Sequence, residues 1–289
     1  MRIAYLITAD TAAAPLTRLI NRLATPDTSF FVHVDKRRDD LRLEARELLS
    51  GRNDVNWVTE RHATWAGHVN YVHAVLAAMR ALVASGTAYD YALLLTDQDY
   101  PIKPAAEIDA YLAAHNGQNF IDHAPVEGKD HVWADWGPPS NGITRLAHWH
   151  LVVHSRLLLR IPMARTIPLG HTGYIGYQWW NLTRAAVEYC VQFVDKHPEY
   201  LRFFRNAYMT DEVFFQTLLM NSPLKPTLVN NNLRHIHPEP FPNHFKCVDE
   251  TDFDALQQSP ALFARRFCAG TPTELLDTID RRLLTATPT

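Results

Sequence analysis

Thr210, Asp211 and Glu212 stand directly before an apolar run containing Val213, Phe214, Phe215, Leu218 and Leu219. A hydroxyl and two acids ahead of such a run signal a helix N-terminus, where acids also complement the helix dipole. The same pair offers chemistry, because a carboxylate presented there can act as a general base; Glu212 is the candidate. One helix upstream stand Gln178, Trp179 and Trp180, and aromatic faces suit the apolar faces of sugars. Neighbouring residues of a strand point to opposite sides, so at least one of the two tryptophans belongs to the core.

Three other patterns could carry chemistry. Asp97-Gln98-Asp99 ends an apolar run, and paired carboxylates at a strand end can hold a magnesium or manganese ion against a diphosphate. His148, His150 and His154 form H-x-H-x3-H, which shares one face on a strand, scatters on a helix, and binds zinc if the side chains converge. Arg234 and the pair Arg265-Arg266 could hold phosphate oxygens through their guanidinium forks, although isolated arginines usually lie on solvated surfaces.

The elements that must position these residues read from apolar periodicity. Residues 3–8 form a buried strand, 14–23 a helix with Leu16, Leu19, Ile20 and Leu23 on one face, and 30–34 a second strand ending in Asp35. This order begins a doubly wound α/β sheet, whose ligands bind beyond the carboxyl ends of the strands. Asp35 could therefore bond a nucleotide or cap a helix beginning near Arg37. A helix over 41–49 and a short strand over 55–58 follow, closed by Thr59, Glu60 and Arg61; Trp65-Ala66-Gly67 then leads into a long apolar helix. A strand over 91–95 and a helix over 105–114 precede Phe120, Ile121 and Asp122 and then a long variable stretch to about residue 165. Loops of that length are usually functional. Strand 225–229 and an amphipathic helix over 274–284 complete the chain, and the proline-rich residues 238–242 are its most linker-like segment.

With 289 residues and a formal charge of −3, the chain can bury the core of one large domain and makes no electrostatic case for nucleic acid. Cys190, Cys247 and Cys268 are odd in number and widely spaced; this argues against a disulfide framework and points to a reducing compartment. The first ten residues read as a strand, not a leader, and no run of about eighteen apolar residues occurs. The expected setting is cytoplasmic, either free or against the inner face of a membrane.

YQWWNLTRAAVEYCVQF, TDEVFFQTLLMNSP, NNNLRHIHP and SPALFARRF, preceded in order by IAYLITA, FFVHVDKR, TWAGHVNYVHAVLAAMRAL and YALLLTDQDYPIKP, resemble the core-2/I-branching family. That family includes branching N-acetylglucosaminyltransferases and peptide O-xylosyltransferases. The resemblance spans nearly the whole chain and implies a GT-A type fold, a Rossmann-like mixed sheet flanked by helices. It also implies a nucleotide-sugar half over 1–122 and an acceptor and catalytic half over 123–289. The donor contacts implied are Ala9, Asp35, Thr59, Glu60, Arg61, Gln178 and Trp179, with Arg234, Arg265 and Arg266 on the diphosphate. Acceptor contacts implied are Trp65, Asp99, Asp122, Arg145 and Trp180. The family usually reads S-G-Q-D-Y-P-I where this chain has Thr96 to Ile102, so Asp99 matches a residue kept without a metal and Asp97 replaces a small one. It carries His at Asp10 and Arg-Lys at Arg265-Arg266.

The expectation is a metal-independent, inverting transferase that moves N-acetylglucosamine or xylose from a UDP-sugar to a hydroxyl of a glycan acceptor, with Glu212 as base and no metal cofactor. Its rivals are a zinc hydrolase built on the histidine triplet and a non-catalytic sugar-nucleotide-binding module.

Overall fold

The structure, a computed structural model, describes residues 1–128, 142–237 and 245–285. Residues 238–242 lie outside the described residues. The chain opens with β1 (Ile3–Ala9), α1 (Ala13–Leu23), β2 (Thr28–Val34), α2 (Asp39–Leu48), β3 (Val55–Trp57), α3 (Val69–Ser85) and β4 (Tyr91–Thr96). It continues through β5 (Tyr100–Pro101), α4 (Ala105–Ala114), β6 (Asn119–Ile121), β7 (Ala124–Pro125), α5 (Gly142–Ala147), β8 (Trp149–Val153) and β9 (Arg156–Ile161). Next come β10 (Tyr174–Ile175), β11 (Trp180–Thr183), α6 (Arg184–Lys196), α7 (Pro198–Phe204) and α8 (Phe214–Met220). The last elements are β12 (Leu228–Val229), β13 (Arg234–Ile236), α9 (Phe253–Gln258), β14 (Phe263–Arg265) and α10 (Thr273–Arg282).

One mixed sheet of seven strands, ordered β12-β6-β11-β4-β1-β2-β3, forms the centre. Every residue of β1 is buried, as expected of a parallel strand covered on both faces. Alternation then divides its side chains. Ile3, Tyr5 and Ile7 join a core with α1, α2, α4 and α10, whereas Ala4 and Leu6 join one with α3, α6, α7 and α8. The long helix α3 starts where the His68 ring accepts from the Asn70 N–H and stops at Gly86, whose φ of 69° suits a residue without a side chain.

β1 is hydrogen-bonded to β2 on one side and β4 on the other, all three parallel. The connection from β1 winds toward β2, so a crevice opens between the carboxyl ends of β1 and β4, where ligands of such sheets bind. β11 joins β4 antiparallel, which brings its leading residues, Gln178 and Trp179, to that edge. The small sheet β13-β14-β5 brings Arg234 and Arg265 to the same end.

Two expectations are corrected. Cys247 and Cys268 form a disulfide with Cα atoms 5.7 Å apart, while Cys190 is free and buried; the inference of a reducing compartment thereby loses its premise. Residues 210–212 form a 3₁₀ turn ahead of α8, entered through Met209 at φ 49°, so Thr210 is no N-cap. Among the described residues, no helix is long and apolar enough to cross a membrane.

Candidate active site

Glu212 is held from two directions. Its backbone carbonyl accepts from the Gly176 N–H at 2.9 Å, and its carboxylate is ion-paired with Arg145 on α5. Arg145 is completely buried, whereas Glu212 keeps 8% of its surface exposed. The base candidate therefore retains an outlet to solvent. Arg145, expected to touch an acceptor, instead lies behind Glu212 and fixes its carboxylate, since charge-assisted pairs impose geometry. Asp211 points the other way: its Oδ2 accepts from the Gly67 N–H at 3.3 Å, and burial together with neighbouring Glu212 pushes its pKa up.

From Gly176 the strip continues into the donor side. The Gln178 amide donates to the Tyr71 hydroxyl at 3.4 Å, and that hydroxyl lies 3.2 Å from Thr8 Oγ1 at the end of β1. Trp179 is buried, and the Arg265 guanidinium lies 3.6 Å from its ring centroid. Arg265 in turn donates to Asp99 Oδ1 at 2.9 Å. Carboxylate, aromatic ring and guanidinium thus follow one another along a single edge of the sheet.

The D-x-D carboxylates serve different partners. Asp97 accepts from the Asp10 and Thr11 N–H groups and the Thr11 hydroxyl, tying the loop after β1 to the end of β4. Burial, reinforced by Asp10, pushes Asp97 up to about 7. Asp99 accepts from the Thr96 N–H and from Arg265, and with 2% exposure it supports that arginine rather than an acceptor.

The arginines sort by burial. Arg234 donates to Leu94 O, Asn181 Oδ1 and Asn232 O, and burial lowers it to about 10; its guanidinium knits the sheet edge. Arg265 is engaged as described. The Nε of each of the three is enclosed without a hydrogen-bond partner, but Arg266 alone is half-buried where Arg234 and Arg265 are buried, which leaves it the arginine of the three best able to take an anionic ligand. Buried polar atoms are normally paired.

Several other expected contacts prove internal. The Asp35 carboxylate has no exposed surface. It accepts from the Arg37 N–H and guanidinium and from the Thr64 N–H and hydroxyl; desolvation opposes its charge, but these donors hold it well below the usual carboxylate range. It staples two loops and does not cap α2, which begins at Asp39. Arg61 donates to Val34 O and Asp35 O, holding the end of β2. Trp180 is wholly buried against Phe215, with centroids 5.7 Å apart, because strand alternation turns it away from Trp179. Ala9 is buried at the end of β1 and Thr59 and Glu60 are exposed beyond β3. Trp65 is half-buried between the Arg37 guanidinium and the His154 ring, each 4.6 Å away. Asp122, half-buried, accepts from Asn232 Nδ2 at 2.7 Å, and burial pushes it up to about 6.

The histidine triplet does not converge. His148 and His150 have ring centroids 6.4 Å apart, His150 is buried, and His154 packs on Trp65. No cluster suited to a metal occurs among the described residues. A cleft of about 380 Å³ lined by Arg2, Tyr89, Asp90 and Asn119 lies at the opposite end of the sheet. Sequence reasoning missed Tyr71, Thr8 and Gly176. Only Gly176 left a local trace, a lone glycine before the aromatic run.

A seven-stranded mixed sheet flanked by helices, with its crevice beside β1 and β4, defines the class as an α/β protein of the GT-A type. The family model described as Core-2/I-Branching enzyme matches residues 3–257. The chain belongs to this glycosyltransferase family. It is 31% identical to Xylosyltransferase 2 of Homo sapiens over 316 aligned residues, covering 100% of this chain and 34% of that protein. It is 26% identical to Xylosyltransferase oxt of Drosophila melanogaster, covering 92% of this chain and 32% of that one. The chain thus spans about a third of the length of these curated relatives. Among solved structures, a putative glucose-1-phosphate thymidylyltransferase from Bacillus anthracis matches 69% of this chain and 83% of its own at 10% identity, with a TM-score of 0.30.

Proposed function

We propose that the protein is a GT-A type, inverting, metal-independent glycosyltransferase that moves a sugar from a UDP donor to a hydroxyl of a glycan acceptor, forming a β linkage. The observation that carries this reading is the Glu212 carboxylate, fixed by Arg145 and joined through residues 176–179 to the Trp179–Arg265 stack. In the step envisaged, Glu212 takes the acceptor hydroxyl proton as that oxygen bonds to the anomeric carbon and the bond to the UDP oxygen breaks. Charge growing on the diphosphate meets Arg266, with Arg265 behind it, as preorganised electrostatic stabilisation. Metal independence is supported by the engagement of Asp97 and Asp99 with protein donors. The names of the relatives favour xylose over N-acetylglucosamine as the sugar transferred.

Thermal unfolding with a panel of UDP-sugars in the presence of EDTA tests this. Ligand at about a hundred times its Kd should stabilise the fold by about 2.7 kcal/mol, with UDP-xylose the strongest. Indifference to every UDP-sugar contradicts the reading, and activity abolished by chelation contradicts its metal-independent form. A binding module predicts the same stabilisation without product.

A further inference from the structure

The hairpin β8–β9 is a two-stranded sheet of its own, and aliphatic side chains are exposed on both of its faces, because strand neighbours such as Leu158 and Leu159 point to opposite sides. Leu151, Val153, Leu158, Leu159, Ile161 and Met163 are between 38% and 61% exposed. Leu151 stands opposite Leu159 and Trp149 opposite Ile161, so apolar groups pair across the ribbon. Contiguous exposed apolar surface of this kind marks an interaction site. The charged residues of the hairpin itself and of the chain directly flanking it have one sign. From Trp136 to Val187 the sequence holds no aspartate or glutamate, but it holds Arg145, Arg156, Arg160, Arg165 and Arg184. Arg145 is committed to Glu212, and Arg165 anchors the hairpin by donating to His148 O and Asn206 O. Arg156 and Arg160 remain exposed on β9, with no acidic partner among the described residues.

We infer that this hairpin docks the protein on an anionic lipid bilayer, the aliphatic side chains entering the interface and Arg156 and Arg160 meeting the headgroups. Aliphatic residues interleaved with cations, without aspartate or glutamate, match interfacial membrane binding. Protein interfaces instead favour aromatic cores and depleted charge. The placement also has a consequence for the site. His154 at the hairpin turn packs on Trp65 at 4.6 Å, and α5, leading directly into β8, carries the arginine that holds Glu212. Docking therefore keeps the catalytic edge beside the bilayer. The inference stands independently of the sugar-transfer reading.

Sedimentation of the full chain with phosphatidylcholine vesicles, with and without phosphatidylserine, tests it. Binding should require phosphatidylserine and weaken with salt. Replacing both Arg156→Gln and Arg160→Gln should lower the partition coefficient roughly 30-fold, at about one kcal/mol for each cation. The lysine pair should restore binding, and Leu158→Ser with Leu159→Ser should weaken it; unchanged circular dichroism and melting show that each variant folds. Equal sedimentation with neutral vesicles, or either double variant binding like the parent, overturns the inference. So does retention on an acidic polypeptide without vesicle binding, which would assign the face to a protein partner.

Discussion

Acids a few residues apart at one strand end have different partners: Asp99 accepts from Arg265, while Asp97 accepts from the Asp10 and Thr11 N–H groups. Asp97 is buried, so its native pKa of about 7 lies well above the unfolded value near 4. Between those values the native state holds a proton that the unfolded chain has released. The stability contributed is fully present below the unfolded pKa and is lost as pH rises through about 7. Asp97→Asn, which can still accept from both N–H groups, should flatten the decline between pH 4 and 8, over which the parent loses up to about 4 kcal/mol from this group. Urea unfolding across that range reads the difference; parallel curves would refute it. At the other end of the cluster, Arg266→Ala should weaken donor binding by roughly 10 to 100-fold, the worth of one charged hydrogen bond. Titration calorimetry with UDP measures this, and unchanged affinity would remove Arg266 from the donor site.

The segment from β10 to β11 works because it can lie flush against its neighbours. A Cβ on Gly176 would come within 1.9 Å of the Asp122 carbonyl oxygen, and a backbone atom cannot swing aside. Gly176→Ala should therefore cost about 3 kcal/mol or more and displace the Glu212 carbonyl that Gly176 binds; a parent-like melting temperature and turnover would contradict this. Such contacts explain what the sequence conceals. The strands and helices of the first half are legible because burial on both faces writes local, unbroken apolar runs such as IAYLITA. Tyr71 meets Gln178 across 107 positions of chain, and no local pattern encodes that. Glu212 and Trp179 could be singled out from their neighbours and the family resemblance, but the burial of Arg234 depends on Asn181 and Asn232. The Cys247–Cys268 pairing was hidden because spacing alone does not say which thiols approach.

Across the whole molecule, strands from both ends of the chain share one sheet, and the disulfide secures the part added last. It joins Cys247 to Cys268, 21 positions apart, next to Phe245, which packs on Trp179 at 5.9 Å, and to Arg266, whose carbonyl accepts from the Val248 N–H. Replacing Cys247 and Cys268 with serine should cost about 3 kcal/mol, measured by denaturant unfolding, and loosen donor binding together with stability. The central claim, that Glu212 is the base on an edge whose arginines hold the nucleotide, is tested most directly by Glu212→Gln. Turnover with the donor selected by the UDP-sugar panel is measured beside UDP affinity on the same preparation. Turnover should fall roughly 10² to 10⁴-fold with UDP affinity unchanged; parent-like turnover would remove Glu212 as the base.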